Sequence, residues 1–107
     1  SFSHVRMMMN LVMMGIDCLP RGGVIHVRIR NEQVGLTITL TCKGNRARLR
    51  PDIANGIKGI EPEDGWRPET IQPLFSKIIC DGLGGELTAS ESEETVIIMA
   101  AGIRAEG

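Results

Sequence analysis

Aromatic side chains are nearly missing from this sequence: it has no Tyr, one Trp and two Phe. A surface for single-stranded nucleic acid stacks bases on aromatic rings, so that function is excluded. A formal net charge of −1 excludes a general polyanion binder as well. Cysteine is sparse too. Cys18, Cys42 and Cys80 are odd in number, and no two are spaced as a CxxC pair. Neither a zinc site nor a disulfide framework is expected, and a reduced, cytoplasmic setting is. Long apolar runs are also lacking. The longest, Met7–Ile16, is broken by Asn10 and is too short to span a bilayer. Asp17-Cys18-Leu19-Pro20-Arg21 follows it where a signal peptide would have small residues. There is no internal repeat and no low-complexity tract.

What is present is a chain of 107 residues with 42% hydrophobic and 23% charged residues, the composition of one globular domain, 1–107. Such a length buries a core without metal or disulfide staples. The chain starts with Ser and enters a helical pattern almost at once, as expected of a piece of a longer protein. Ser3–Leu19 reads as a helix in which Ser3, Arg6, Asn10 and Asp17 form one narrow polar stripe. Nearly every other position is apolar, which predicts burial around most of the circumference. Pro20 and Gly22-Gly23 stop it.

Val24–Arg30 alternates, with Ile25, Val27 and Ile29 on one face and His26, Arg28 and Arg30 on the other, a half-buried strand. Val34–Thr41 alternates again, so the two are expected to form a hairpin across Asn31-Glu32-Gln33. A basic segment, Lys43–Arg50, leads to a short helix over Pro51–Lys58 and a loop over Gly59–Arg67. Pro68–Asp81 carries Ile71, Leu74, Phe75, Ile78 and Ile79 at helical spacing. Glu86–Ser90 and Thr95–Ala100 read as a closing hairpin. The order predicts an α+β fold: a two-layer α/β sandwich, mostly antiparallel sheet with helices on one face.

Asn10-Leu11 on the first helix, Gly22-Gly23 before a strand, and the run Ile78-Ile79-Cys80-Asp81-Gly82-Leu83-Gly84-Gly85-Glu86-Leu87-Thr88 together resemble the ATP-binding domain of histidine kinases, the Bergerat or GHKL fold. Met9-Asn10-Leu11, Leu19-Pro20-Arg21-Gly22-Gly23 and Pro68-Glu69-Thr70-Ile71-Gln72-Pro73-Leu74 resemble more narrowly the C-terminal domain of ChpT-type histidine phosphotransferases. The resemblance covers nearly the whole chain. It implies a bacterial phosphorelay protein whose kinase-like domain is degenerate and whose helical hairpin, upstream of this chain, carries the phosphoaccepting histidine and the homodimer contacts. The partners it implies are a hybrid histidine kinase and response-regulator receiver domains, with no nucleic acid and no membrane.

Against that pattern the nucleotide positions are damaged. Asn10 remains on the polar stripe, but the second helix asparagine falls on Met14, and a thioether is a poor magnesium ligand. The Asp-x-Gly-x-Gly stretch corresponds to Cys42-Lys43-Gly44-Asn45-Arg46, where a thiol replaces the adenine-reading carboxylate. Gly65-Trp66-Arg67-Pro68-Glu69 stands where a phosphate-cradling loop is expected; Pro68 has no N–H to offer and Glu69 repels phosphate. No cofactor, no metal and no ATP-dependent kinase activity are therefore expected. An active ATPase or anti-sigma-like kinase, and a regulatory adaptor without phosphotransfer, are the competing functions.

His4 and His26 lack the acidic neighbour and following proline of a phosphoacceptor helix, so no catalytic role is assigned to either. Glu61, Glu63 and Asp64 read as a solvated acidic loop. Cys18 and Cys80 read as buried small hydrophobes. The partner-binding candidates are the basic loop residues Lys43, Arg46, Arg48 and Arg50, together with Met13 and Met14, which are expected to fill the former nucleotide space or to leave an apolar patch there.

Overall fold

The computed structural model describes residues 2–105, without the side chain of Glu69. Its elements follow the predicted order: α1 (Phe2–Asp17), β1 (Val24–Glu32), β2 (Gly35–Lys43), α2 (Pro51–Gly56), α3 (Pro68–Gly82), β3 (Glu86–Ser92) and β4 (Thr95–Ile103). The strands form one sheet in the order β1-β2-β4-β3, antiparallel at every pairing. Both hairpin turns are shorter than the sequence pattern implied. Val34 belongs to the first turn, not to β2, and is exposed there.

Alternation decides which side of the sheet is covered. Ile38, Leu40 and Cys42 of β2 lie beside Ala100, Ile98 and Val96 of β4 in register, and all six are buried under the helices. Leu87 of β3 extends the layer. From α1 come Met7, Leu11, Met14 and, just beyond its end, Cys18; from the α3 side come Cys80 and Leu83. Ser76, fully buried, donates its hydroxyl to the carbonyl of Gln72 at 3.0 Å, so its polar group is satisfied.

Three burial expectations are corrected. Helix α1 is not enclosed on most of its circumference: Val5, Met9 and Ile16 are exposed, Met9 by 58%. A two-layer domain offers one sheet face and one neighbouring helix, which covers only half of a helix surface. On α3 the buried line runs through Pro73, Ser76 and Cys80, while Phe75 and Ile78 point outward. Strand β1 is not half-buried either. Only Ile25 is partly covered, and every residue from His26 to Glu32 is exposed, because β1 is the sheet edge beyond the reach of the helices.

The C-terminal end of β4 ties the two main helices together. Arg104 N–H donates to the Leu83 carbonyl at 2.9 Å and Arg104 Nη2 to the Gly82 carbonyl at 2.6 Å. His4 Nε2 donates to the Arg104 carbonyl at 2.6 Å, which fixes the start of α1 against the same strand end.

Candidate functional site

The glycines after α1 explain how the site is built. Gly22-Gly23 runs directly over Lys43-Gly44. A Cβ on Gly23 would lie 2.1 Å from the Lys43 carbonyl oxygen, and one on Gly44 would lie 2.2 Å from that of Gly22. Only glycine fits at both crossing points. The loop after β2 is pinned on two further sides. Arg48 N–H donates to the Cys18 carbonyl at 3.1 Å. Glu94 and Glu91, from the β3–β4 hairpin, accept from the backbone N–H groups of Arg46 at 3.1 Å and Leu49 at 2.7 Å. Arg46 takes a left-handed φ of 67°, which turns the loop back toward α1.

This arrangement opens a cleft of about 730 Å³ lined by Asp17 and Pro20 after α1, Arg48 and Arg50 from the loop, Pro51 and Asp52 at the start of α2, and Asp64, Arg67 and Thr70 at the entry to α3. Three arginines face three aspartates, so the cleft is charge-balanced overall. Two of the pairs are closed. Arg50 Nε lies 3.2 Å from Asp52 Oδ1, and its Nη2 donates to Oδ2 at 3.2 Å, a two-pronged contact. Arg67 pairs with Asp64, and Arg67 N–H donates to Thr70 Oγ1 at 3.0 Å. Arg48 is exposed and has no ion-pair partner among the described residues.

The sequence candidates do not gather in one place. Arg48 and Arg50 line the cleft. Lys43 lies on the helix-free face of the sheet, and Arg46 points from the tight turn into solvent. The basic segment is therefore three separate features, because a strand end, a left-handed turn and a pinned loop aim successive side chains apart. Asn10 is half-buried on α1 and lines no cavity described here. Met14 is 1% exposed, packed in the core with Met7 and Leu11. It does not line the cleft and leaves no exposed apolar patch there, so of the two roles expected for it only the space-filling one is compatible with its burial. Met13, 48% exposed, accepts a hydrogen bond at Sδ from Gln72 Nε2 at 3.3 Å, at the junction of α1 with α3.

Gly44 serves the backbone crossing. Cys42 is fully buried. Burial, and then the neighbouring Cys18, push its thiol up to about 11. Burial, followed by Asp81, does the same to Cys80, also to about 11, and burial raises Cys18. All three stay neutral near pH 7, so Cys42 neither replaces a carboxylate nor acts as a nucleophile.

Sequence reasoning missed Arg67, Asp64, Thr70 and Asp17 as members of this cleft. The i, i+3 spacing of Asp64 with Arg67 just before Pro68 was the available signal. The acidic loop is solvated as expected: Glu61, Glu63 and Asp64 are all exposed, Asp64 while paired with Arg67. Among the described residues no group of His, Cys, Asp and Glu is arranged to hold a metal ion, and no helix is long and apolar enough to cross a membrane.

The described residues thus form an α+β domain with helices on one face of an antiparallel sheet and a charge-balanced cleft where α1, the loop after β2 and the start of α3 converge. The chain belongs to the histidine phosphotransferase C-terminal domain family, matched over residues 2–95. It is 23% identical over 98 residues to the protein phosphotransferase ChpT of Brucella abortus (strain 2308), covering 92% of this chain and 47% of that protein. A bacterial phosphotransferase structure superposes with a TM-score of 0.82 at 22% identity, over 92% of this chain and 48% of that one. The chain thus spans about half the length of the relatives it matches.

Proposed function

We propose that this domain is the partner-docking half of a phosphorelay protein, a degenerate GHKL-type kinase fold that no longer binds ATP. In the full protein, a histidine on a dimerising helical hairpin accepts a phosphoryl group from the receiver of a hybrid histidine kinase and passes it to response regulators. The domain steers the receiver to that histidine and carries no phosphoryl group itself. One observation supports this most: Met14 and Cys42, at the positions where the resembled fold needs a magnesium ligand and an adenine-reading carboxylate, are core residues that line no cleft. A receiver carries an acidic phosphorylation pocket, and among the described residues Arg48 is the cleft cation with no ion-pair partner. The exposed apolar side chains Val5, Met9 and Ile16 of α1 and Phe75 and Ile78 of α3 suit packing against the hairpin.

The test is phosphotransfer by the full-length protein to its response regulator. Rim charges act mainly on association rate. Arg48→Glu should slow transfer at low salt, and the gap should narrow above roughly 0.1 M, where the Debye length falls to about 10 Å. Arg46→Glu, outside the cleft, should change little. Equal rates for Arg48→Glu and the parent at low salt would remove the cleft from the docking surface. The isolated chain mixed with a phosphorylated receiver should gain no acid-labile phosphoryl group, and a phosphorylated His4 or His26 would overturn the assignment of the acceptor to the hairpin.

A further inference from the structure

Among the described elements the sheet edge at β1 is the least covered, and it has no place in the cleft. The strand runs nine residues in unbroken register with β2, from Val24 opposite Lys43 to Glu32 opposite Gly35. It contains no proline, and among the described residues nothing pairs with its other side. Edge strands leave a row of backbone N–H and C=O groups open to another strand. The two faces of β1 differ sharply. Toward the helices, Val27 and Ile29 are 45% and 58% exposed. Away from them, His26, Arg28 and Arg30 stand opposite Thr41, Thr39 and Thr37. With Lys43 and Met99 these form a shallow groove of about 740 Å³. The one carboxylate of the groove, Glu32, already accepts a hydrogen bond from Thr37 Oγ1 at 2.7 Å.

We propose that β1 is a docking edge for an extended acidic segment of a partner protein, which adds a fifth strand to the sheet. A strand there would lie about 4.8 Å from β1 and alternate its side chains in phase with it. Its outward residues would sit beside His26, Arg28 and Arg30, so Asp or Glu fits there. Its inward residues would cover Val27 and Ile29, so Val, Ile or Leu fits between the acids. A second copy of this chain is disfavoured. Antiparallel pairing of two β1 strands centred on Ile29 sets Arg28 of each copy opposite Arg30 of the other, and like charges directly opposite are destabilising. The basic row that protects the edge from self-pairing is thus what selects an acidic strand. Nucleic acid matches the charge but not the open backbone groups, nor the uncovered Val27 and Ile29. The inference is independent of the role given to the cleft.

The test titrates the whole chain with a fluorescein-labelled eight-residue peptide alternating Glu with Val, and with its scrambled isomer. Two further versions are N-methylated at alternate backbone positions, one at the odd and one at the even residues. Binding of the alternating peptide should exceed that of the scramble at least tenfold. One N-methylated version should lose at least tenfold and the other should not, because only one set of amides faces β1. Hydrogen exchange should slow along β1 on binding. Arg28→Glu/Arg30→Glu, both exposed and with no described hydrogen bond or ion pair to lose, should weaken binding at least tenfold and should accept a Lys-Val peptide instead. Equal loss or equal retention in both N-methylated versions would overturn the strand-addition geometry. No binding by the alternating peptide at millimolar concentration, tighter binding of oligo-dT than of the peptide, or a β1-dependent dimer in sedimentation would each overturn the proposed occupant.

Discussion

Changing Met14 to Asn puts there the residue type that the proposed kinase-like pattern has on the first helix, and the core position of Met14 implies a strongly destabilised domain with no gain of nucleotide binding. Met14 is 1% exposed, among Met7, Leu11 and the rest of the buried cluster. Burying a methionine side chain is worth roughly 1.5–3 kcal/mol, which the substitution forfeits. An amide left in that setting without a partner costs roughly 1–3 kcal/mol more. The sum, about 4 kcal/mol, is a large share of the roughly 5–15 kcal/mol typical of a domain. At roughly 4–8 °C per kcal/mol for domains near this size, the melting temperature should fall by about 20 °C. Met14→Leu keeps volume and polarity and should cost under about 1.5 kcal/mol. The assay is thermal and urea unfolding of the parent and both variants, with and without millimolar Mg·ATP. A ligand at a hundred times its Kd would add about 2.7 kcal/mol, a visible shift. No shift is expected in any of the three. A Met14→Asn variant as stable as the parent would refute the core placement. Nucleotide-dependent stabilisation of that variant would show that α1 still faces a working pocket.

The backbone crossing gives a sharper contrast within one dipeptide. Gly22→Ala should cost about 1 kcal/mol, because φ is 74° but a Cβ there meets nothing within 4 Å. Gly23→Ala should cost several times more in urea unfolding, since its Cβ would overlap the Lys43 carbonyl. For the thiols, the folded values of about 11 for Cys42 and Cys80 exceed the ordinary 9.0. Above pH 9 the unfolded chain releases protons that the native state retains, so stability is full below pH 9 and falls as pH rises toward 11. Urea midpoints across that window should decline, and Cys42→Ala should flatten the decline. Neutral buried thiols should also resist alkylation at pH 8 until denaturant is added.

Hairpins, helices and their order were legible along the chain because alternation and 3.6-residue spacing are local properties. The arginine-rich character of the loop after β2 was equally legible. Gly22-Gly23 was readable as a helix stop, but its second role was not. That role comes from a contact with Lys43-Gly44 some twenty residues away, and close approach of two backbones leaves no periodic trace.

The sequence by itself determined the order of helices and strands and the two-layer α+β arrangement that they form. Only the tertiary structure decided which apolar face of α1 and α3 meets the sheet. Both helices carry more hydrophobic positions than one contact can cover, so periodicity predicted burial for Met9, Phe75 and Ile78 that packing did not supply. It also decided that Met14 is core, that β1 is an edge, and that Arg48, Arg50 and Arg67 share a cleft while Lys43 and Arg46 do not. These are matters of which surfaces run out of neighbours. The described residues offer one covered sheet face and three helices to shield the apolar side chains, and the assignment is made only when those elements compete for the same space.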